Sequence, residues 1–195
     1  EILITGATGT TSQYAIAHLV NKGVNVRAMV RTIDERSNAL KALGVEIVQG
    51  DFFDLEALRT AMKGIKRAYF LYPFKEHLPK AAAYFAKVAK EAKVEMVIEM
   101  SQMGADELTT SPATQNHVIT ESIFDWANIG AVHIRPALFA WNYLGFAAPT
   151  VADHQKFYYP DVEAKYSIIH PKDIGEVVAE ILMDDNIKQH IGKRY

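Results

Sequence analysis

The chain has 195 residues, of which 49% are hydrophobic and 23% charged, with a formal net charge of −2. These values fit a globular domain with room for one good core and argue against disorder. The near-neutral balance, without a dense Lys/Arg block, argues against direct nucleic-acid binding, whose affinity comes largely from phosphate neutralisation. Cysteine is absent, which removes disulfides and cysteine-ligated zinc and fits a reducing compartment.

In chain order, the apolar strand Ile2-Leu3-Ile4 runs into Thr5-Gly6-Ala7-Thr8-Gly9-Thr10-Thr11-Ser12. Gly6 lets the backbone leave the strand in a conformation closed to other residues, and Gly9 removes a Cβ that would hold a pyrophosphate away from the chain. The helix that begins there presents unsatisfied N–H groups and roughly half a positive charge, an arrangement that holds paired phosphates. Context strengthens this otherwise weak glycine signal. Ala15, Ile16, Leu19 and Val20 fall on one helical face, Asn21-Lys22-Gly23 stops the helix, and a second strand, Val24 to Val30, follows at once. The expected dinucleotide contacts here are Gly6, Thr8, Gly9, Thr10, Thr11 and Ser12. Ser12 stands at the third glycine position, where its hydroxyl either bonds a phosphate oxygen or caps the helix.

Arg31 ends the second strand, where an acidic residue usually binds the ribose of NAD. A guanidinium there can grip a 2'-phosphate through two parallel hydrogen bonds, so NADP(H) is expected in preference to NAD(H). The alternative is a solvated strand-end arginine compensated by Asp34 and Glu35. A helical pattern from Glu35 to Leu43 leads to the strand Val45 to Gln49 and then to Gly50-Asp51-Phe52. Asp51 and Phe52 are placed for the adenine end, Asp51 either accepting from an exocyclic amine or serving the turn that caps the helix Leu55 to Met62.

The strand Arg67 to Leu71 is followed by Tyr72-Pro73-Phe74, the helix Lys80 to Ala92 and the strand Glu95 to Met100, which runs into Ser101-Gln102-Met103. A helix from Thr114 to Asn128 precedes the strand Ala131 to Ile134 and Arg135-Pro136. The longest apolar stretch, around Pro136 to Pro149, is broken by Asn142 and too short to span a bilayer. No basic leader pattern precedes the first strand, so a cytoplasmic location without a membrane partner is expected. Leu138 to Lys165 has weaker periodicity and many aromatics, as for a substrate-side lobe. Pro171 then opens a helix whose Ile174, Val177, Val178, Ile181 and Leu182 form an apolar stripe. Gly192-Lys193-Arg194-Tyr195 reads as the entry to another strand, with further sequence expected beyond it.

Alternating strands and helices predict an α/β fold, a doubly wound parallel sheet of the Rossmann type with part of a smaller C-terminal substrate lobe. The expected division is a dinucleotide-binding domain at 1–137, a lobe segment at 138–165, and a return to the first domain at 166–195.

Thr5-Gly6-Ala7-Thr8-Gly9, Val30-Arg31, Gly50-Asp51, His117-x-x-x-Glu121, Ile134-Arg135-Pro136-x-x-Phe139-x-x-Asn142 and Asp173-Ile174-Gly175 together resemble the NmrA-like branch of the atypical short-chain dehydrogenases. Within it the chain looks close to the NADPH-dependent quinone oxidoreductase-like members. The resemblance covers nearly the whole chain, and Ser12 is its visible departure. Conventional short-chain dehydrogenases use Tyr-x-x-x-Lys, in which the lysine lowers the tyrosine pKa. None of the nine tyrosines here has lysine four residues on, and the corresponding helix carries His117 and Glu121.

Two functions remain: hydride transfer to an acceptor needing little proton help, such as a quinone, and a non-catalytic redox sensor acting through a protein partner. Tyr72, Pro73, Phe74, Met103, Pro136 and Phe139 would make a flat apolar pocket for a planar acceptor, or fill the interface between lobes. Tyr72 and Pro73 also border the cofactor. His117 is the candidate proton donor, unless it is a surface or capping histidine. Ser101 stands where a hydroxyl often orients a carbonyl, with a bond to cofactor or backbone as the other reading. The histidines show no metal-binding spacing, so no metal is expected. A homodimer or a protein partner is compatible with the sequence.

Overall fold

The computed structural model describes all residues except Phe74, Glu76, 157–164 and Tyr166, and describes only the backbone at 143, 144, 146, 147 and 150. The elements run β1 (Ile2–Ile4), α1 (Thr10–Asn21), β2 (Val26–Val30), α2 (Glu35–Ala42), β3 (Glu46–Gln49), α3 (Leu55–Met62), β4 (Arg67–Phe70) and α4 (Leu78–Glu91). They continue with β5 (Met96–Met100), α5 (Pro112–Ala127), β6 (Ala131–Ile134), β7 (Leu138–Phe139), α6 (Ala140–His154), β8 (Ile168–Ile169) and α7 (Pro171–Met183). Six strands form one parallel sheet in the order β3-β2-β1-β4-β5-β6, the doubly wound arrangement expected from the alternation of patterns. The chain builds outward from β1 to β3 and then returns to β4 on the other side of β1. The carboxyl ends of β1 and β4 therefore flank the topological switch point, where such sheets bind ligands.

The sheet is buried on both faces, which is why its strands are apolar at consecutive positions. Ile2 and Ile4 pack with Ala15, Ile16 and Leu19 of α1 and with Ile174, Val178 and Leu182 of α7. Leu3, Ala68, Phe70 and Val97 face the opposite layer, with Leu58 of α3, Phe85 of α4 and Phe124 of α5. Helix starts follow local chemistry. Asp34 and Ser37 form a reciprocal capping box on α2, Asp54 caps α3, and Ser111 caps α5 just ahead of Pro112.

The described part of the lobe segment holds β7 and α6, and β7 pairs with β8 in a separate two-stranded sheet, Leu138 opposite Ile168. The sequence periodicity did not announce α6, because Gly145 and Pro149 lie within it and read as breakers. At the other end, Gly192, Lys193 and Tyr195 exchange backbone hydrogen bonds with Ala131, His133 and Arg135 along the free edge of β6. The last residues thus extend the parallel sheet, with Arg194 bridged to His133. Among the described residues, no helix is long and apolar enough to cross a membrane.

Candidate functional site

Gly6 turns the chain out of β1 with φ +56°, and a Cβ there would stand 2.6 Å from Leu71 Cδ2 and 3.0 Å from the Leu71 carbonyl oxygen. The turn is pressed against the exit of β4. Thr5 fastens the two strand ends together: its backbone N–H donates to the Tyr69 carbonyl at 3.0 Å, and its Oγ1 accepts from the Leu71 N–H at 2.9 Å. The Gly9 N–H donates to the Gly6 carbonyl at 2.8 Å, closing the turn. A Cβ on Gly9 would come 2.9 Å from that same oxygen, so this glycine serves the loop's own geometry as well as access for a ligand.

Gly9 caps α1 without a side-chain hydrogen bond, and no acidic residue lies in the first turn. Helices α2, α3, α5 and α7 are capped by Asp34, Asp54, Ser111 and His170, whereas α4, like α1, has no side-chain cap. The first amides of α1 therefore have no side-chain acceptor from the cap or the first turn. This is the fit a dinucleotide pyrophosphate requires. Thr8 and Gly9 are half-buried and Thr10 is exposed, whereas the side chains of Thr11 and Ser12 are buried. The Ser12 hydroxyl donates to the Thr5 carbonyl at 3.2 Å, joining helix to strand at their closest approach. That use differs from both uses considered from the sequence.

Arg31 is exposed just beyond β2, its carbonyl accepting from Gln49 Nε2 at 3.2 Å. Asp34, one of the two acidic residues considered as compensation for it, is instead bound by Arg36 at 2.6 Å and by the Ser37 N–H, which hold its carboxyl below the usual range. No described residue forms an ion pair with the Arg31 guanidinium. Across the strand ends, Asp51 Oδ1 accepts from the Phe53 N–H at 2.8 Å, while Asp54 and not Asp51 caps α3. Phe52 packs edge-on against Phe70 and Tyr72, with ring centroids 5.4 and 5.3 Å apart. Partial burial and the charge of Asp51 raise the Tyr72 phenol pKa, opposed by Arg31, so these groups share one corner of the crevice. Pro73 is exposed next to them, and Phe74 lies outside the described residues.

At the ends of β5 and β6 the structure brings together side chains that the sequence only partly flagged. Helix α5 buries the stripe His117, Thr120, Glu121 and Phe124 against the sheet, with His117 only 6% exposed. Glu121 accepts from Ser101 Oγ at 2.6 Å, from Arg135 Nε and Nη2 at 2.8 and 2.7 Å, and from Arg194 Nε at 2.9 Å. Burial pushes the Glu121 pKa up, but the bonds from Arg135 and Ser101 outweigh it and hold the carboxyl below its usual range. Ser101 and His117 thus lie in one cluster, with the serine hydroxyl given to Glu121.

Behind them, wholly buried Glu99 bonds His133 Nδ1 through Oε2 at 2.8 Å, and His133 Nε2 meets Asp125 Oδ1 at 3.0 Å. Burial lowers the His133 pKa, but Glu99 and Asp125 reverse this and leave it raised. Donor atoms of Glu99, Glu121 and His133 lie within 4.8 Å of one another, the spacing of a cation site. Two guanidiniums already fill Glu121 and both His133 nitrogens are bonded, which suits a self-contained ion network better than a metal. Glu99 and His133 were legible in principle, as charged residues interrupting strands otherwise apolar on both faces.

Two of the residues expected to wall an acceptor, Met103 and Pro136, are in direct contact. The Met103 N–H donates to the Pro136 carbonyl at 3.0 Å, joining the exits of β5 and β6, and the Met103 side chain is 57% exposed. Pro136 and Phe139 are half-buried, Phe139 against the α1–α7 side of the core.

Comparison with known proteins adds independent findings. A family described as NAD(P)H-binding matches residues 6–185. The chain is 28% identical over 200 residues to quinone oxidoreductase 2 of Escherichia coli K12, covering 100% of the chain and 67% of that protein. It is 26% identical over 188 residues to an NAD(P)H azoreductase of Xenophilus azovorans, covering 93% of the chain and 63% of the relative. Among solved structures, the E. coli NADPH-dependent quinone oxidoreductase complexed with NADPH aligns with a TM-score of 0.87 at 25% identity, covering 100% of this chain and 68% of the other. The Citrobacter triphenylmethane reductase complexed with NADP(H) aligns at 0.82 and 24% identity over 100% and 69%, a likeness of fold. The chain spans about two thirds of the length of these proteins. The resemblance read from the motifs is borne out.

Proposed function

The chain belongs to the NAD(P)H-binding family, and from that premise we propose that it binds NADPH in preference to NADH and reduces a planar, quinone-like acceptor without a Tyr-x-x-x-Lys pair. One observation carries the reading: α1 opens on a glycine turn without a side-chain cap, and Arg31 stands beyond β2 with no ion-pair partner among the described residues. The α1 amides would hold the pyrophosphate, Arg31 the 2'-phosphate, and Asp51, Phe52, Tyr72 and Pro73 the borders of the crevice. The activities that the quinone oxidoreductase and azoreductase relatives are named for support this direction.

A bound NADPH supplies a hydride. Complete reduction of a quinone also needs one proton for each hydride, and that proton must come from the protein or from water. Glu121, held as a carboxylate by two arginines, lacks the positive field of the missing lysine, and the Ser101 proton points at Glu121. His117 is the group left on α5 to donate, its ring buried near the exits of β5 and β6. Met103, Pro136 and Phe139 would wall the acceptor.

The second reading, a non-catalytic NADP(H) sensor, is favoured by the same ion network, which stands where an acid–base pair would be. Following NADPH absorbance with purified protein and a panel of quinones separates the two. Saturable NADPH oxidation that falls on widening the pocket at Phe139→Ala supports the reductase. Tight nucleotide binding without turnover of any acceptor supports the sensor.

A further inference from the structure

A line of titratable groups crosses the interior from the surface to His117. The carboxylate of Asp125, 37% exposed, meets His133 Nε2 at 3.0 Å; His133 Nδ1 meets Glu99 Oε2 at 2.8 Å; and Glu99 Oε1 lies 4.0 Å from His117 Nδ1. We propose that Glu99 and His133 form a proton relay that refills His117 from solvent at Asp125. This rests on His117 being the donor to the acceptor, as read above.

Three features favour transport of protons over a merely structural ion pair. Glu99 Oε1 is buried with no hydrogen-bond partner among the described residues, and it is the oxygen on the His117 side. A carboxylate oxygen left unsatisfied in the interior is costly, and that cost falls whenever the oxygen takes up a proton. The arginines, which would pin a carboxylate in its ionised form, are directed elsewhere: Arg135 and Arg194 bond Glu121, and Arg194 Nη2 bonds Asp125 Oδ2 at 2.7 Å, leaving Oδ1 to His133. The raised pKa of His133 keeps a proton available in the middle of the line. The groups facing the relay are Glu121, Asp125 and His117 from α5, Ser101 beyond β5, Arg135 beyond β6, Arg194, and the Tyr69 phenol from β4. The longest step, at 4.0 Å, is one water or a small side-chain rotation from a direct bond.

The balance closes. As the acceptor O–H bond forms, a His117 N–H bond breaks. The ring takes a proton at Nδ1 from Glu99 Oε1, Glu99 takes the His133 Nδ1 proton at Oε2, and His133 Nε2 takes one from water at Asp125. Half-turns of the His117 ring, the Glu99 carboxyl group and the His133 ring then return each proton to its starting side, so the line is ready for the next turnover. One solvent proton is consumed with each hydride delivered, and no further reductant is needed.

The test compares Glu99→Gln, Asp125→Asn and His117→Asn in the full chain. Glu99→Gln retains size and can still bond His133 but cannot pass a proton. The relay predicts that it leaves single-turnover hydride transfer close to wild type while lowering steady-state turnover at least tenfold. A larger solvent deuterium effect and partial rescue by formate or imidazole should accompany that loss. Asp125→Asn, at the surface, should lower turnover less and shift its pH profile, and it keeps the test open if the buried variant fails to fold. Histidine nitrogen NMR on protein without nucleotide gives a readout apart from activity: exchange of the His117 ring proton with solvent should slow at least tenfold in Glu99→Gln relative to wild type. If His117→Asn impairs turnover while Glu99→Gln and Asp125→Asn keep wild-type rates, isotope effects and pH profiles, the relay is overturned and the donor reading stands. If His117→Asn turns over normally, the donor reading itself is overturned, and the relay with it.

Discussion

Gly175 of α7 rests directly on Tyr14 of α1: a Cβ at position 175 would come 2.6 Å from Tyr14 Cβ, 2.7 Å from the Thr11 carbonyl oxygen and 2.8 Å from the Ala15 nitrogen. The last long helix thus sets the position of the helix whose first turn faces the proposed phosphates. Gly175→Ala is expected to destabilise the fold by about 1–3 kcal/mol through overpacking, and to weaken NADPH binding by tilting α1. Urea unfolding and nucleotide titration of the same variant check both effects. An unchanged midpoint and affinity would mean that the two helices are free to slide apart.

The turn at Gly6 makes a sharper prediction when set beside Gly23. Both have positive φ, +56° and +75°, but a Cβ on Gly6 meets Leu71 whereas one on Gly23 meets nothing within 4 Å. Gly23→Ala should cost only the left-handed backbone penalty, roughly 1–2 kcal/mol, with NADPH affinity intact. Gly6→Ala should cost more in thermal stability and lower NADPH affinity by about tenfold or more, a shift of some 1.4 kcal/mol.

Arg31 and Arg36 form a matched pair for testing nucleotide choice. Arg36 is held by Asp34, so Arg36→Ala should leave the preference for NADPH over NADH unchanged. Arg31→Ala removes a charge-assisted contact worth about 1.5–3 kcal/mol, so NADPH affinity should fall roughly 10- to 100-fold while NADH affinity holds. Fluorescence titration with each nucleotide reads the difference. An equal loss for both would place Arg31 away from the 2'-phosphate.

The buried network should leave two marks on the pH dependence of stability. The folded pKa of Glu121 is depressed, so its stabilisation is fully present above the unfolded value of about 4.3 and is lost as pH falls through the folded value. His133 is raised, so its stabilisation is present below about 6.5 and is lost as pH rises through its folded pKa. Urea midpoints across both windows should therefore fall at each end. His133→Asn should flatten the alkaline limb and Glu121→Gln the acid limb, each leaving the other in place.

Most of the fold was legible because both of its faces are covered. Apolar runs such as Ile2 to Ile4 and Ala131 to Ile134, punctuated by Gly6, Gly23 and Gly50, mark a parallel sheet with little ambiguity, and α3 fell on Leu55–Met62 as its periodicity indicated. The phosphate turn was legible for the same local reason: strand, glycine and helix are contiguous in sequence. The ion network was less so. Ser101, Glu121, Arg135 and Arg194 meet only after β5, α5, β6 and the chain end are assembled, and no short-range pattern reports that. The Ser12 bond to Thr5 was hidden because it depends on how closely α1 approaches β1. Helix α6 escaped because Gly145 and Pro149 suppress the local signal that tertiary packing overrides.

The most direct test of the dinucleotide site is calorimetric titration of the intact protein with NADPH and NADH in parallel. Saturable binding of NADPH is predicted, at least about tenfold tighter than NADH. Absence of heat and of thermal protection with either nucleotide would contradict it.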